Sequence, residues 1–540
     1  MLVVGAGSTG LMMACELARH GAPVRIIDRL AEIAPFARAT GVHSRTLEVF
    51  HDLGIVEEVI DRAVVIRGMR QFAAGEPVMH LRNEGLDSPF PFSLSMEQWK
   101  VEEALQSLLR RLGVEVERET ELLDLEEDAH SVRVTLRRAD GSKTLVETPW
   151  LIGCDGAHSR VRHLKGEHFP GEADPHQYLV ADVVLEGWQP VDEVQVYLTD
   201  RGALWWFPLP GGRNLVAGDV PEQHDGATET PGLEDVQALL DHRAPPGLTV
   251  RDPRWMSWFH ISYRMTPHYR HGRTFLAGDA AHIHSPIGGQ GMNTGIQDAY
   301  NLGWKLALVT SGGAPESLLD SYEVERRAVA EGVLAMTRAL TEKAEAYMTL
   351  PAEARASLSR HVMLPEAERM QMLLHSEELD LDYRRSFACR DSLGGAVAED
   401  STAGSLHAGA EARDAGPLWL DDGELRLFDL LRGTHHTLLL LPGSGPRGAE
   451  EARALEDIGS TVAEICGGRV RVYIVLPPHV SAGAPGGPAI LARDPDGAFH
   501  RRYGADSARI YFVRPDGYIG FRGDPTQTQD LMEHLRTLFN

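Results

Sequence analysis

The spacing of hydrophobic positions changes several times along the chain, and each change predicts a different element. Residues 2–4 (LVV) form an apolar run that ends in Gly5-Ala6-Gly7-Ser8-Thr9-Gly10. The stretch LMMACELARH that follows is apolar nearly all round, as a helix packed under a sheet must be. A second short strand, PVRIID, closes at Asp28. From 64 to 95 the period shortens to two (VVIRGMRQF, PVMHLR, FPFSLS) with Gly, Glu-Pro and Asp-Ser-Pro breakers, which reads as antiparallel β. Met96 to Leu112 returns to a helical period. The stretch SVRVTLRRADGSKTLVETPWLIGCDG reads as a hairpin turned at Asp140-Gly141 and a strand ending at Asp155-Gly156. Alternation resumes from Tyr178 to Ser262, interrupted by one helix, LEDVQALLDHR. Thr274 to Ala277 is a strand, and a long helix begins near Gly291. An apolar stripe at Leu318, Leu319, Tyr322, Val329, Val333, Met336 and Leu340 predicts another long helix, with more helix to about Leu381 and a Gly/Ala/Asp-rich linker near 391–416. The tail 424–540 reads as strand, helix 449–465, strand, a hairpin turned at Pro515-Asp516-Gly517, and a helix at 526–539.

Two of these junctions carry chemistry. Gly5, Gly7 and Gly10 form GxGxxG between a strand and a helix, with Asp28 at the end of the next strand, where it can meet a ribose hydroxyl. This is a dinucleotide site, and Asp28 suits an unphosphorylated ribose, so FAD or NAD is expected rather than NADP. The second junction is RTFLAGDAAHIHSPIGGQGMN: strand end, Asp279, glycine loop, helix start. Unpaired N–H groups and the helix dipole favour a negative group over Gly288 to Asn293. The two signals must converge on one cofactor.

Together with Gly153-Cys-Asp-Gly-Ala-His-Ser-Arg-Val-Arg162, they resemble the three fingerprints of the class A FAD-dependent monooxygenases, the para-hydroxybenzoate hydroxylase and phenol hydroxylase family. The resemblance covers residues 1–175 and 260–310. It implies an α/β fold: a Rossmann-like FAD-binding domain (1–63, 96–175 and 264–310), an inserted antiparallel β-sheet substrate domain (64–95 and 176–263), a helical segment (311–400), and a linker and thioredoxin-like C-terminal domain (401–540). It also implies an activity in which NADPH or NADH reduces FAD, O2 adds to give a C4a-hydroperoxide, and a phenolic or polycyclic aromatic ring is hydroxylated. The cofactor residues carried over are Gly5, Gly7, Ser8, Thr9, Gly10, Asp28 and Arg29 at the first motif, with Arg38 at the pyrophosphate. Gln98 is carried to the flavin side and Leu122 to the adenine. Asp155 goes to FAD pyrophosphate and NAD(P)H, Asp279 to the ribityl chain, and Gly289, Gly291, Met292 and Asn293 to the pyrimidine edge. Pro286 would sit beside the substrate, offering no competing N–H. The alternative is a non-oxygenating reductase or dehydrogenase on the same fold.

Composition narrows the setting. At 540 residues the chain exceeds one core. A net charge of −25 disfavours nucleic acid and anionic membrane. No apolar run is long enough to span a bilayer. Cys15, Cys154, Cys389 and Cys466 show neither CxxC nor zinc spacing, so no metal is expected, a cytoplasmic setting fits, and the tail is given a structural or homodimer role. The substrate sheet is rich in Trp205, Trp206, Phe207, Trp258, Phe259 and Tyr263, of which alternation allows about half to face a pocket. Trp206, Arg213, His260 and Tyr263 are the substrate candidates. His43, His260, Tyr263 and Arg213 are chemically able to deprotonate a phenol, and no motif places any of them. Arg45 and His43 are otherwise read as solvent-facing.

Overall fold

Leu2–Val4 lies between two parallel partners, Arg25–Ile27 and Leu151–Gly153. Thr274–Leu276 and Val116–Glu117 extend this sheet on either side, and Arg270–His271 adds an antiparallel edge to make six strands. In the computed structural model, the described residues are all of 1–540 except 36–38, 74, 190, 221–229, 287, 351–353, 355–364, 394–405, 422 and 482–486, and the side chains at 344, 345, 348 and 349. The central strands are buried on both faces, which explains their unbroken apolar runs. The helix Ser8–Arg19 packs beneath, buried at Ser8 and from Gly10 to Leu17.

The second sheet has eight strands, built chiefly from Gly68–Arg82 and from 171 to 265. Val64–Ile66 departs from the expected pattern, pairing with Ser93–Ser95 in a separate three-stranded sheet. Alternation divides the large sheet cleanly. Leu204, Trp206, Val216 and Trp258 pack with Val236, Leu239 and Leu240 of the helix Leu233–Arg243. Trp205, Phe207, Leu215 and Phe259 take the other face. The long helix Asp320–Thr349 runs over part of that second face, where Leu334 and Tyr347 touch it and Tyr263 meets Thr341 through their hydroxyls at 2.8 Å.

In the tail, His436–Leu441 is parallel to Val470–Leu476 and antiparallel to Arg509–Val513, which pairs in turn with Ile519–Gly523. Helices Gly448–Ile465 and Thr528–Leu538 pack on this sheet through Leu455, Val462, Leu531 and Leu535. This is the thioredoxin-like arrangement, enlarged by a further parallel strand, Ala489–Arg493, and an edge hairpin, Leu418–Leu425. Part of the expected linker is structured. Ala410 and Glu411 bridge to Asp382 and Tyr518, and the Glu411 carboxylate is buried against Arg45 and Arg413. The polar composition that suggested a loose connection is that of a buried ion cluster; residues 394–405 of that linker lie outside the described residues.

The tail is not self-contained either. Arg514 donates to Glu325 at 2.7 and 2.9 Å, and Lys305 reaches the same carboxylate at 2.7 Å, all fully buried. Burial would raise the Glu325 carboxyl, but Arg514 and Lys305 hold it well below the usual carboxylate range.

Candidate active site

The two glycine loops meet through one side chain. A Cβ built on Gly278 or on Gly295 would fall 2.5 or 2.3 Å from the Thr9 hydroxyl, so Thr9 is wedged between the strand end at Gly278 and the helix Gln290–Thr310. The glycines of the first motif have separate reasons. Gly5 has φ +98 and a Cβ there would lie 2.4 Å from the Cys154 carbonyl oxygen, and one on Gly10 would lie 1.9 Å from the Gly5 carbonyl oxygen. Gly7 has no such neighbour. Its nearest is a Glu102 oxygen at 3.7 Å, so the protein itself does not require glycine there. Space over Gly7 at a helix N-terminus suits a pyrophosphate, and the residues present fit FAD.

Asp28 accepts from Ala6 N at 2.6 Å and Leu30 N at 2.8 Å, which fixes its carboxylate at the sheet edge beside the exposed Arg29. Gln98, first residue of the helix Gln98–Arg111, donates to Glu102 at 2.8 Å, and Ser8 donates to the same oxygen at 3.3 Å. Burial pushes the Glu102 carboxyl up despite these bonds. Glu102 thus joins the glycine loop to the flavin-side helix.

Asp155 accepts from Ser159 Oγ at 2.5 Å with one oxygen and from Arg160 N and Val161 N with the other. Both oxygens are engaged within its own turn, so this residue shapes the motif. Arg162 carries the turn to the third motif by donating to the Ala280 carbonyl at 2.8 Å. A cavity of about 400 Å³ lined by His158, Arg160, Arg162 and Phe169 opens alongside. Asp279 is exposed at the end of its strand, and Leu122 is buried in Glu121–Glu127. Arg38 lies outside the described residues.

At the loop expected to meet the flavin edge, Gly288 and Gly289 have φ +90 and +70, and the exposed Pro286 accepts from Gly289 N at 3.0 Å. No acidic residue stands in the first turn of the following helix, whose first N–H groups have no carbonyl partner within the helix. The Asn293 side chain accepts from His43 N at 3.0 Å and donates to the carbonyls of Gly41 at 3.0 Å and Gly289 at 2.7 Å. None of these three bonds uses the backbone N–H of Asn293 or of the buried Met292. His43 and Arg45 do not face solvent. His43 is 7% exposed with Nε2 3.0 Å from the Gly288 carbonyl oxygen, and Arg45 is 4% exposed between Glu48 and Glu411. Polar residues at a turn resemble surface by composition; here they tie two loops together.

The substrate candidates divide. Trp206 belongs to the core: its Nε1 donates to Asn214 at 2.8 Å and its ring lies 4.2 Å from that of Trp188, on the side of the helix Leu233–Arg243. Its neighbours Trp205 and Phe207 take the opposite face, with Trp255 and Phe259. Alternation places the exposed His260 on the Trp258 side, away from Phe259. Arg213 is committed to Asp182 at 2.6 Å and to two carbonyls. Tyr263 lies on the face of Trp205 and Phe259, buried, with its hydroxyl on Thr341. Only the side on which each strand begins separates Trp205 from Trp206, and a sequence does not supply it.

This geometry agrees with what the chain is similar to. Residues 1–337 match the FAD binding domain family. A flavin-dependent monooxygenase of Mycobacteroides abscessus is 33% identical over 99% of both chains. The 12-dehydrotetracycline 5-monooxygenase/anhydrotetracycline 6-monooxygenase of Streptomyces rimosus is 36% identical over 100% of this chain and 98% of its own. The OxyS anhydrotetracycline hydroxylase structure from Streptomyces rimosus covers 100% and 98% of the two chains at 33% identity with a TM-score of 0.75. The flavin-dependent monooxygenase PieE shares the fold over 99% and 98%, with a TM-score of 0.81 at 24% identity. The chain belongs to the FAD-dependent aromatic monooxygenases. It is an enzyme that binds FAD and uses O2 and a nicotinamide co-substrate, and the non-oxygenating alternative is not favoured.

Proposed function

We propose that this monooxygenase hydroxylates a polycyclic phenolic substrate held between the flavin-edge loop and the face formed by Trp205, Phe207, Trp255 and Phe259. The observation that carries the reading is that face: large rings, partly buried, on one side of the sheet, with helix Asp320–Thr349 over its far part. Stacked ring systems bury large apolar area on such a surface. The relatives named for tetracycline chemistry support the same substrate class.

In this reading Gly7, Ser8, Thr9 and Gly10 leave room for the pyrophosphate at a helix N-terminus, and Asp28 accepts from the ribose. Bound FAD supplies the activation of O2. The chain's own part is to hold the pyrimidine edge against the N–H groups after Gly289, where negative charge is stabilised, and to exclude water with the aromatic face. Pro286 borders the substrate without a competing donor. The basic cavity beside the Asp155 turn suits the phosphates of NADPH or NADH. A cytoplasmic homodimer completes the reading, supported by four free cysteines and by Trp419, 47% exposed on the tail's edge hairpin. The test is turnover under ¹⁸O2 across monocyclic and tricyclic or tetracyclic phenols. One labelled oxygen in a polycyclic product is expected, with NAD(P)H consumption accelerated by that substrate; unlabelled product, or hydroxylation of monocyclic phenols alone, refutes the proposal.

A further inference from the structure

Residues 376–378, at the end of the helix Glu366–Ser376, grip both walls of the flavin-edge loop although they lie far from every cofactor motif. On one side they hold a single stripe of the helix Gln290–Thr310. Gln290 donates to the Ser376 carbonyl at 2.9 Å, the Thr294 hydroxyl lies 3.0 Å from Glu378 Oε1, and Gln297 donates to Glu378 Oε2. On the other side Glu377 accepts from Ser44 N at 2.8 Å, Ser93 Oγ at 2.6 Å and Asn83 Nδ2 at 2.8 Å, and its carbonyl accepts from Arg45 N. The His43 ring stands between Glu377, 3.8 Å from its Nδ1, and the Gly288 carbonyl.

Two adjacent carboxylates, 5% and 3% exposed, thus point to opposite walls. The backbone makes this possible. Glu378 has φ +57, a left-handed conformation that a non-glycine side chain rarely adopts and that persists only when its surroundings enforce it. We infer that the Glu377–Glu378 turn is a clasp that positions the first two turns of the Gln290 helix against the His43 loop, and so sets how strongly the site favours reduced over oxidised flavin. Reduction adds negative charge at the edge that this helix N-terminus faces, and that interaction depends steeply on distance. A helix released by a few tenths of an ångström loses more affinity for the reduced form. These are positioning residues, and their role rests on the flavin-edge site proposed above.

Glu378→Gly removes the side chain while keeping the left-handed backbone that glycine adopts freely. Glu378→Gln keeps both partners, because the Thr294 hydroxyl and the Gln297 amide each donate and accept. The expected result for Glu378→Gly is FAD affinity weakened about tenfold for the oxidised form and about a hundredfold for the reduced. That tenfold difference lowers the two-electron midpoint potential by about 30 mV. Glu378→Gln should restore both quantities. Should Glu378→Gly not fold, Thr294→Val removes one of its two helix-side partners at similar volume, with a smaller effect in the same direction. A changed melting temperature with unchanged dissociation constant and potential overturns the clasp, as does a Gln variant that behaves like Gly. Gly7→Val is measured alongside: if it retains FAD, the cofactor site itself is misassigned, and that failure is separate from the clasp's.

Discussion

In the proposed site the side chain missing at Gly7 makes room for the ligand, whereas at Gly10 its absence serves the fold, and the two substitutions should part accordingly. Gly7→Val meets no protein backbone, the nearest atom to its Cβ being a Glu102 oxygen at 3.7 Å. The variant should fold, melt near the wild type and emerge colourless, with FAD affinity reduced about a hundredfold or more. Gly10→Ala places a methyl 1.9 Å from the Gly5 carbonyl oxygen and should abolish soluble expression. Absorbance at the flavin band together with circular dichroism tells them apart; a colourless but folded Gly10→Ala, or a yellow Gly7→Val, contradicts this division. Much at this scale is legible from residue type and spacing. Gly5 and Asp28 can be singled out from motifs alone, because the strand-to-helix turn around them dictates them, whereas Asn293 lies in a motif although its partners at Gly41 and His43 are distant. His43, Arg45, Glu377 and Glu378 cannot, since each is buried by a partner distant in sequence.

Among the elements, the pattern of periods finds nearly every major strand and helix, and misses what depends on pairing. Leu233–Arg243 coincides with the expected helix to the residue. Val64–Ile66, by contrast, has the right period and the wrong sheet, because alternation does not say which neighbour a strand will find. The same ambiguity put Trp206 in the pocket. Exchange of the neighbours makes the point measurable. Trp206→Ala should cost about 3–5 kcal/mol of stability as a core truncation, read by urea unfolding. Trp205→Ala should cost less than half as much and raise KM for the polycyclic substrate severalfold. The reverse pattern would restore the sequence reading.

For the whole molecule, the tail's regular pattern conceals its dependence on the rest. Arg514 and Asp516 reach Glu325, Asn301 and Trp304, and Gly433 N donates to Asp52. Deleting 424–540 would take Arg514 from Glu325, leaving Lys305 as its charged partner, and would bare the apolar surface of Trp304, Ala314 and Leu318 that packs with the tail. The truncated chain should therefore be insoluble or free of FAD; a soluble, yellow truncation would show the tail to be dispensable. Acid sensitivity is a second global property. Burial pushes the His284 imidazole down to about 4, with His282 adding to the effect, and burial takes His534 to about the same value. The folded values lie below that of an exposed histidine, so the unfolded chain binds more protons between pH 6.5 and 4. Stability is thus full above about 6.5 and falls as pH drops toward 4, by roughly 3 kcal/mol from His284 alone. Calorimetric melting between pH 7 and 5 should show the decline, and His284→Asn should make it shallower, with His534 still contributing; an unchanged midpoint in the wild type excludes the effect.

The Thr9 wedge has a consequence for how the protein is made. Its hydroxyl is clasped by Gly278 and Gly295, so the first helix leaves the ribosome long before the partners that complete its cofactor cradle exist. At about 5–20 residues per second, tens of seconds separate the two events. During that interval the nascent chain carries an open glycine loop with nothing to close it. Flavin loading is therefore expected only once residues 278–295 have been made, and nascent chains that end before them should not retain FAD.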